Sequence, residues 1–362
     1  MTDTDFSGRH QAALAAFSRL SQTAGARQDY VQGGGGNTSV KLDGQLMAIK
    51  ASGFRLGQIT PERAYAVVDY RALQDFYRDT DPARLDDVEA AGSAAARAAT
   101  RVIPGLEPLR PSVETGFHAI LERFVLHSHA VWANLICTAG NGPELAAAVM
   151  EDVGESFAFV PYINPGTALT FAIAGARAAA GNPRVIFLQN HGLIVTADTA
   201  DAALSLHDRV NEAAAARFGL SMSDWPPIRI AGDGRDWHSA TPWLTGRLRD
   251  GDWEPAWFLD EALYPDQLVF LRGHVATGTD RALFDRDPEL QALIDPGTGA
   301  VCYRATEAQA RTIEETLVAV LFIRDQLARH GLEIVPMDRA GQSFIAGWEV
   351  ESYRRSVGSR EA

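Results

Sequence analysis

The chain has 362 residues, 46% hydrophobic and 22% charged, and 33 basic against 46 acidic side chains give a formal net charge of −13. That length supports a sizeable core in one large or two ordinary domains, and the acidic balance argues against a nucleic-acid or anionic-membrane surface. No apolar run is long enough to cross a bilayer and the start lacks the pattern of a signal peptide, so a cytoplasmic globular protein is expected. Cys137 and Cys302 lie in apolar stretches and predict buried, reduced thiols.

In chain order, Leu14, Phe17 and Leu20 mark the apolar face of a helix over 9–24. The run Gln32-Gly33-Gly34-Gly35-Gly36 follows as a loop. Strands are expected over Thr38–Leu42 and Leu46–Ile49, joined at Asp43-Gly44, then helices over 61–78 and 86–101. Pro111-Ser112 opens a helix running to Glu122. Phe124–His129 and Trp132–Thr138 have strand composition. Pro143–Met150 and Ala168–Ala180 predict helices, and Val185–Gln189 and Leu193–Val195 predict strands on either side of Asn190-His191-Gly192. Asp198–Phe218 predicts a long helix capped by Asp198.

Residues 221–257 are rich in Pro, Gly, Asp and Trp and predict a connection, held down by Trp225, Trp237, Trp243, Trp253 and Trp257. Beyond it, strands are expected at Asp266–Leu271 and Gly299–Tyr303. A strong amphipathic helix is expected over Glu307–His330, with Ile313, Leu317, Val320, Leu321 and Leu327 on one side. A short aromatic helix over Ser343–Arg355 carries Phe344, Trp348 and Tyr353.

The chemistry centres on His127-Ser128-His129. Two histidines at i and i+2 of a strand point to the same side, and His191, at a later strand end, offers a third nitrogen. Three neutral imidazoles leave a coordination position open on Zn²⁺ or a similar ion, as catalytic metal sites require. Glu114 offers a carboxylate to the same pocket. A lone glutamate in a first helical turn is explained by the helix dipole, and a lone histidine by backbone partners. The pair with a distant His-Gly favours a metal site. His118, four residues after Glu114, is read either as support for it or as an ordinary surface histidine. The glycine run leads into Asn37-Thr38-Ser39, with Ser52-Gly53 one hairpin later. Amides freed by glycine, short hydroxyls and an asparagine amide make an anion nest, to which Lys41 or Lys50 could add charge.

Taken in order, Gly34-Gly35-Gly36-Asn37-Thr38-Ser39, Ala51-Ser52-Gly53, Pro111-Ser112-Val113-Glu114, His127-Ser128-His129 and Asn190-His191-Gly192 resemble the class II aldolase/adducin family over about residues 10–220. They are most similar to the aldolase portion of the bifunctional rhamnulose-1-phosphate aldolase/dehydrogenases. The resemblance implies an α/β fold with a central, mainly antiparallel sheet flanked by helices, and a smaller C-terminal α/β extension. It implies a catalytic domain over 1–222, a connection over 223–257 and an extension of unassigned role over 258–362. It implies that His127, His129 and His191 bind Zn²⁺, with Co²⁺ or Mn²⁺ as alternatives, and that Glu114 is a general acid/base. Gly36, Asn37, Ser52, Gly53 and Ser112 would cradle the substrate phosphate.

The activity implied is cleavage of a ketose 1-phosphate, such as rhamnulose or fuculose phosphate, to dihydroxyacetone phosphate and an aldehyde, by a homo-oligomer, commonly a tetramer. Family epimerases, oxo-acid phosphate decarboxylases and a dehydratase use the same metal site. Adducin-like assembly modules would be expected to lose the histidines this chain keeps. Two departures stand out. Ser112-Val113 occupies a place where relatives that bind dihydroxyacetone phosphate often have two serines. Tyr162 does not match the proton-donating tyrosine of some aldolases.

Overall fold

In the computed structural model, residues 6–347 are described. Eight strands form the main sheet: β1 (Asn37–Lys41), β2 (Leu46–Lys50), β3 (Tyr65–Asp69), β4 (Thr100–Arg101), β5 (Phe124–Ser128), β6 (Phe157–Val160), β7 (Val185–Leu188) and β8 (Gly192–Ala197). Their order is β4-β3-β2-β1-β5-β8-β7-β6, and every neighbouring pair is antiparallel except β6 with β7. The expected α/β architecture with a mainly antiparallel sheet is therefore present.

Strand alternation gives the sheet two distinct faces. Val40, Leu126, Leu193 and Val195 point into a core shared with the helices Gln11–Gly25 and Ala200–Arg217. Val125, Ile186, Leu188 and Ile194 point the other way, to Phe117, Leu169 and Ile173 of the helices Thr115–Ile120 and Thr167–Ala179. Asn37 sits opposite His127 in the β1/β5 register, and His127 sits opposite Ile194 in the β5/β8 register. The site thus grows from the central strands, where register is pinned on both faces.

A second sheet has the order β11-β12-β13-β10-β9, built from β9 (Ile230–Asp233), β10 (Asp236–Ser239), β11 (Val275–Thr277), β12 (Ala292–Ile294) and β13 (Val301–Arg304). The helix Glu307–Arg329 opens with a capping box between Thr306 and Gln309 and runs into the core that backs the main sheet. There the Phe322 ring meets Trp132 edge-on at 5.4 Å between centroids.

Several expected elements need correction. The segment expected as a helix over 61–78 is a strand, β3, before it is the helix Tyr70–Asp79. Tyr65-Ala66-Val67-Val68 is buried throughout and pairs with β2, so sheet burial outweighs the helical spacing. Trp132–Thr138 is not a strand but lies in the helix Val131–Cys137, buried on every side. Asp266–Leu271 is likewise the helix Pro265–Phe270 rather than a strand. Thr199, not Asp198, caps Ala200–Arg217, its hydroxyl accepting from the Ala202 amide. Residues 221–257 are not irregular: they hold β9, β10 and the helix Pro242–Asp250. The five tryptophans there pack on the core, as expected. Both cysteines are free thiols, Cys137 buried and Cys302 partly so. The C-terminal helix is Arg339–Gly347, earlier than expected, and Trp348 and Tyr353 lie outside the described residues. Among the described residues no helix is long and apolar enough to cross a membrane.

Candidate metal centre

His127 on β5, His129 just after it and His191 just before β8 come together as the expected triad, each buried, with ligand nitrogens within 4.8 Å of one another. Asn190, which precedes His191, adopts φ 51°, a left-handed conformation that asparagine tolerates, and its amide donates to the Cys137 carbonyl. That turn delivers His191 to the mouth of β8.

The tautomers follow from the partners. His127 Nδ1 is 3.1 Å from the Leu193 carbonyl, which can only accept, so Nδ1 carries the proton. His129 Nδ1 is 2.5 Å from the Asp266 carboxylate and is protonated for the same reason. In the neutral imidazoles both Nε2 atoms are therefore lone pairs, and they face each other at 3.2 Å. Two lone pairs so placed repel unless a cation lies between them. Nitrogens about 2.05 Å from a tetrahedral zinc ion would be separated by about 3.3 Å, so the donor set fits such an ion.

Glu114 is buried beside the triad. Its Oε1 lies 3.2 Å from His191 Nε2 and 3.7 Å from His127 Nε2, yet forms no hydrogen bond of proper geometry, and His191 Nδ1 is also without a hydrogen-bond partner. Burial raises the Glu114 carboxyl, and positive charge at the facing imidazoles, His127 first, is what would hold it well below the usual range. Burial pushes His127 well down, towards the neutral ligand form.

The other oxygen of Glu114 is fixed by Asn37, whose Nδ2 donates to it at 2.5 Å and to Ser112 Oγ at 3.2 Å. His118 in turn holds the Asn37 carbonyl through Nε2 and accepts from Ser39 Oγ through Nδ1 at 2.7 Å. His118 is wholly buried, so the surface reading is wrong and the supporting one stands.

The remaining phosphate candidates converge less tightly. The Ser52 amide donates to the Arg110 carbonyl, which brings Ser52-Gly53 beside the segment carrying Ser112. Gly36, at φ 66°, backs onto the His127 carbonyl, where a side chain would collide. Lys50 reaches the Gly34 carbonyl at 3.2 Å, whereas Lys41 turns away to the Leu121 carbonyl. The first amide of the glycine run is already taken: Gly33 donates to Glu315 Oε2 at 2.9 Å, with Arg55 3.6 Å from the same oxygen.

Sequence reasoning missed Asp266 and Glu315, both contributed by the C-terminal part. The only local signal was Tyr264-Pro265-Asp266, a proline followed by an acid, which is a helix-start pattern.

An α/β fold carries three imidazoles and a buried glutamate at its central strands, a grouping that could hold a divalent metal ion. The chain belongs to the class II aldolase and adducin family: the Class II Aldolase and Adducin N-terminal domain matches residues 15–218. A Bacillus subtilis (strain 168) protein described as an uncharacterized oxidoreductase, YuxG, is 32% identical over 117 residues, a match spanning 28% of this chain and 16% of that relative. Among solved structures, the N-terminal class II aldolase domain of a conserved Thermoplasma acidophilum protein is 26% identical, with TM-score 0.46, covering 56% of this chain and 91% of that one. An L-fuculose 1-phosphate aldolase is 20% identical, with TM-score 0.37, covering 59% and 86%.

Proposed function

We propose that the protein is a metal-dependent lyase that cleaves a ketose 1-phosphate, such as rhamnulose or fuculose phosphate, to dihydroxyacetone phosphate and an aldehyde. The observation that carries this reading is the pair of bare Nε2 atoms of His127 and His129 facing at 3.2 Å, with His191 and Glu114 beside them. We assign His127, His129 and His191 as ligands of Zn²⁺, with Co²⁺ or Mn²⁺ as alternatives. When bound, such an ion polarises a substrate carbonyl and stabilises an enediolate. We take residues 1–222 as the catalytic domain of a cytoplasmic homo-oligomer, and 223–257, which supplies β9 and β10 to the second sheet, as one unit with the extension over 258–362.

Glu114 performs the proton transfer. In the condensation direction its carboxylate takes a proton from C3 of dihydroxyacetone phosphate, and the resulting enediolate attacks the aldehyde carbon. In cleavage a water-borne base takes the C4 hydroxyl proton, the C4–O bond becomes the aldehyde carbonyl, the C3–C4 pair moves onto C3 to give the enediolate, and Glu114, protonated from solvent, gives its proton to C3. Asn37, held by His118, keeps one Glu114 oxygen fixed while the other faces the triad. Gly36, Asn37, Ser52, Gly53 and Ser112 are assigned to the phosphate, Asn37 reaching it by exchanging its bond to Ser112 while it keeps the one to Glu114.

The test is NMR of dihydroxyacetone phosphate in D₂O with zinc-loaded protein. Stereospecific loss of one C3 proton signal is expected. Glu114→Gln should retain the metal and slow the exchange by about 10²- to 10⁴-fold. Undiminished exchange in that variant would remove Glu114 from the proton transfer. No exchange in the metal-loaded parent chain would overturn this donor and direct attention to oxo-acid substrates.

A further inference from the structure

Asp266 lies outside the family match, on the helix Pro265–Phe270 of the C-terminal part, yet it is fully buried against the histidine triad. Its Oδ2 accepts from His129 Nδ1 at 2.5 Å. Gly35 leaves the space: a side chain there would run into both Asp266 and His129. The same C-terminal part also holds the His191 turn. Asn190 Nδ2 donates to the carbonyls of Leu263 at 3.0 Å and Val335 at 2.6 Å. Tyr264, next to Asp266, lies edge-on to the His129 ring and donates to Gln32 just before the glycine run.

We infer that Asp266 is a positioning residue of the metal centre, so that the C-terminal part completes a site whose ligands all lie in the family domain. A carboxylate on Nδ1 fixes a histidine in one tautomer, stops its ring from rotating and makes Nε2 a stronger donor. Of the three ligands, His127 is fixed by a carbonyl within the main sheet, His129 by Asp266, and His191 through its neighbour Asn190. Two of the three therefore depend on residues beyond position 260. This role rests on the proposed metal-binding function of the triad.

The experiment uses the full chain and measures Zn²⁺ affinity by competition with a chromophoric chelator, together with the visible absorption of the Co²⁺-loaded protein. Asp266→Asn keeps the shape but replaces the carboxylate by a weaker acceptor. It should bind Zn²⁺ about 10- to 100-fold more weakly and shift the Co²⁺ bands, with unchanged circular dichroism. Affinity within about twofold of the parent and an unaltered Co²⁺ spectrum would overturn the role. Should that variant not fold, ¹⁵N-histidine NMR of the zinc-loaded parent decides. A His129 signal with Nδ1 protonated supports the inference, and one with Nδ1 bound to metal or Nε2 protonated overturns it. A parent chain that binds neither ion overturns the metal centre itself, an outcome distinct from a bound ion indifferent to Asp266.

Discussion

Asn37 uses its whole amide inside the site: the carbonyl accepts from His118, and the NH₂ donates to Ser112 and Glu114. The orientation of Glu114 is thus set two residues away, by an imidazole whose burial pushes its pKa down to about 3 and keeps it neutral. Replacing His118 with Leu leaves Asn37 Oδ1 and Ser39 Oγ buried without that partner, at a cost of about 1–3 kcal/mol of stability. The expected signature is a fall in kcat with the metal retained, read by steady-state kinetics and metal analysis. Unaltered kcat would detach this chain of hydrogen bonds from catalysis. His207 offers a second residue-scale test, behind the triad, where its Nε2 meets Ser128 Oγ at 2.7 Å on the opposite face of β5. Burial, reinforced by Arg27, lowers its pKa to about 3 from an ordinary 6.5. The folded state therefore binds the proton less readily than the unfolded state, so the stabilisation is present above pH 6.5 and is lost as pH falls towards 3. Between pH 7 and 5 the loss from one such group is about 2 kcal/mol. Urea unfolding of His207→Gln over that range should show a decline smaller by about that amount. Equal declines in parent and variant would count against a neutral, buried His207.

At the scale of elements, legibility followed burial. Strands β1, β2, β5, β7 and β8 were visible because each is a short β-rich run bounded by a turn or by Asn190-His191. The helix Val131–Cys137 was not, because its apolar side chains are buried all round, and a short run of that kind has no periodicity to separate helix from strand. The same ambiguity hid Pro265–Phe270, where Leu268-Val269-Phe270 outweighed the proline and acid at its start. β6 was missed as well, since Phe157-Ala158-Phe159-Val160 is apolar throughout and alternates only in its burial. The triad was legible since β5 places His127 and His129 by local geometry alone. Asp266 was not, since no spacing rule joins two residues from separate parts of the chain. His118 stood in between: its helical offset from Glu114 was readable, but its burial under Phe117 and the β1 strand was not.

For the whole molecule, the decisive feature is that the core does not end where the family match ends. Phe322 meets the rings of Trp132, Trp225 and Trp243 at 5.4, 5.3 and 6.3 Å between centroids. Backbone bonds cross the same boundary: Val335 donates to the Thr138 carbonyl and Gly140 donates to the Glu333 carbonyl. Glu315 occupies the Gly33 amide from the far side. A fragment ending at residue 222 keeps all three histidines and Glu114, but it uncovers the wholly buried Val131–Cys137 helix and leaves the Gly33 amide without its carboxylate. Uncovering Trp132 and its apolar neighbours forfeits about 25 cal/mol for each Å² of apolar surface returned to water, and several such side chains outweigh the 5–15 kcal/mol by which a domain is usually stable. Expressed alone, residues 1–222 should therefore aggregate or unfold without a cooperative transition, as solubility and a thermal melt would report. A soluble fragment with the melting temperature and zinc affinity of the full chain would make the C-terminal part an appendage. Failure of the fragment, together with weakened zinc binding in Asp266→Asn, would mean that the family domain and its extension are a single folding and metal-binding unit.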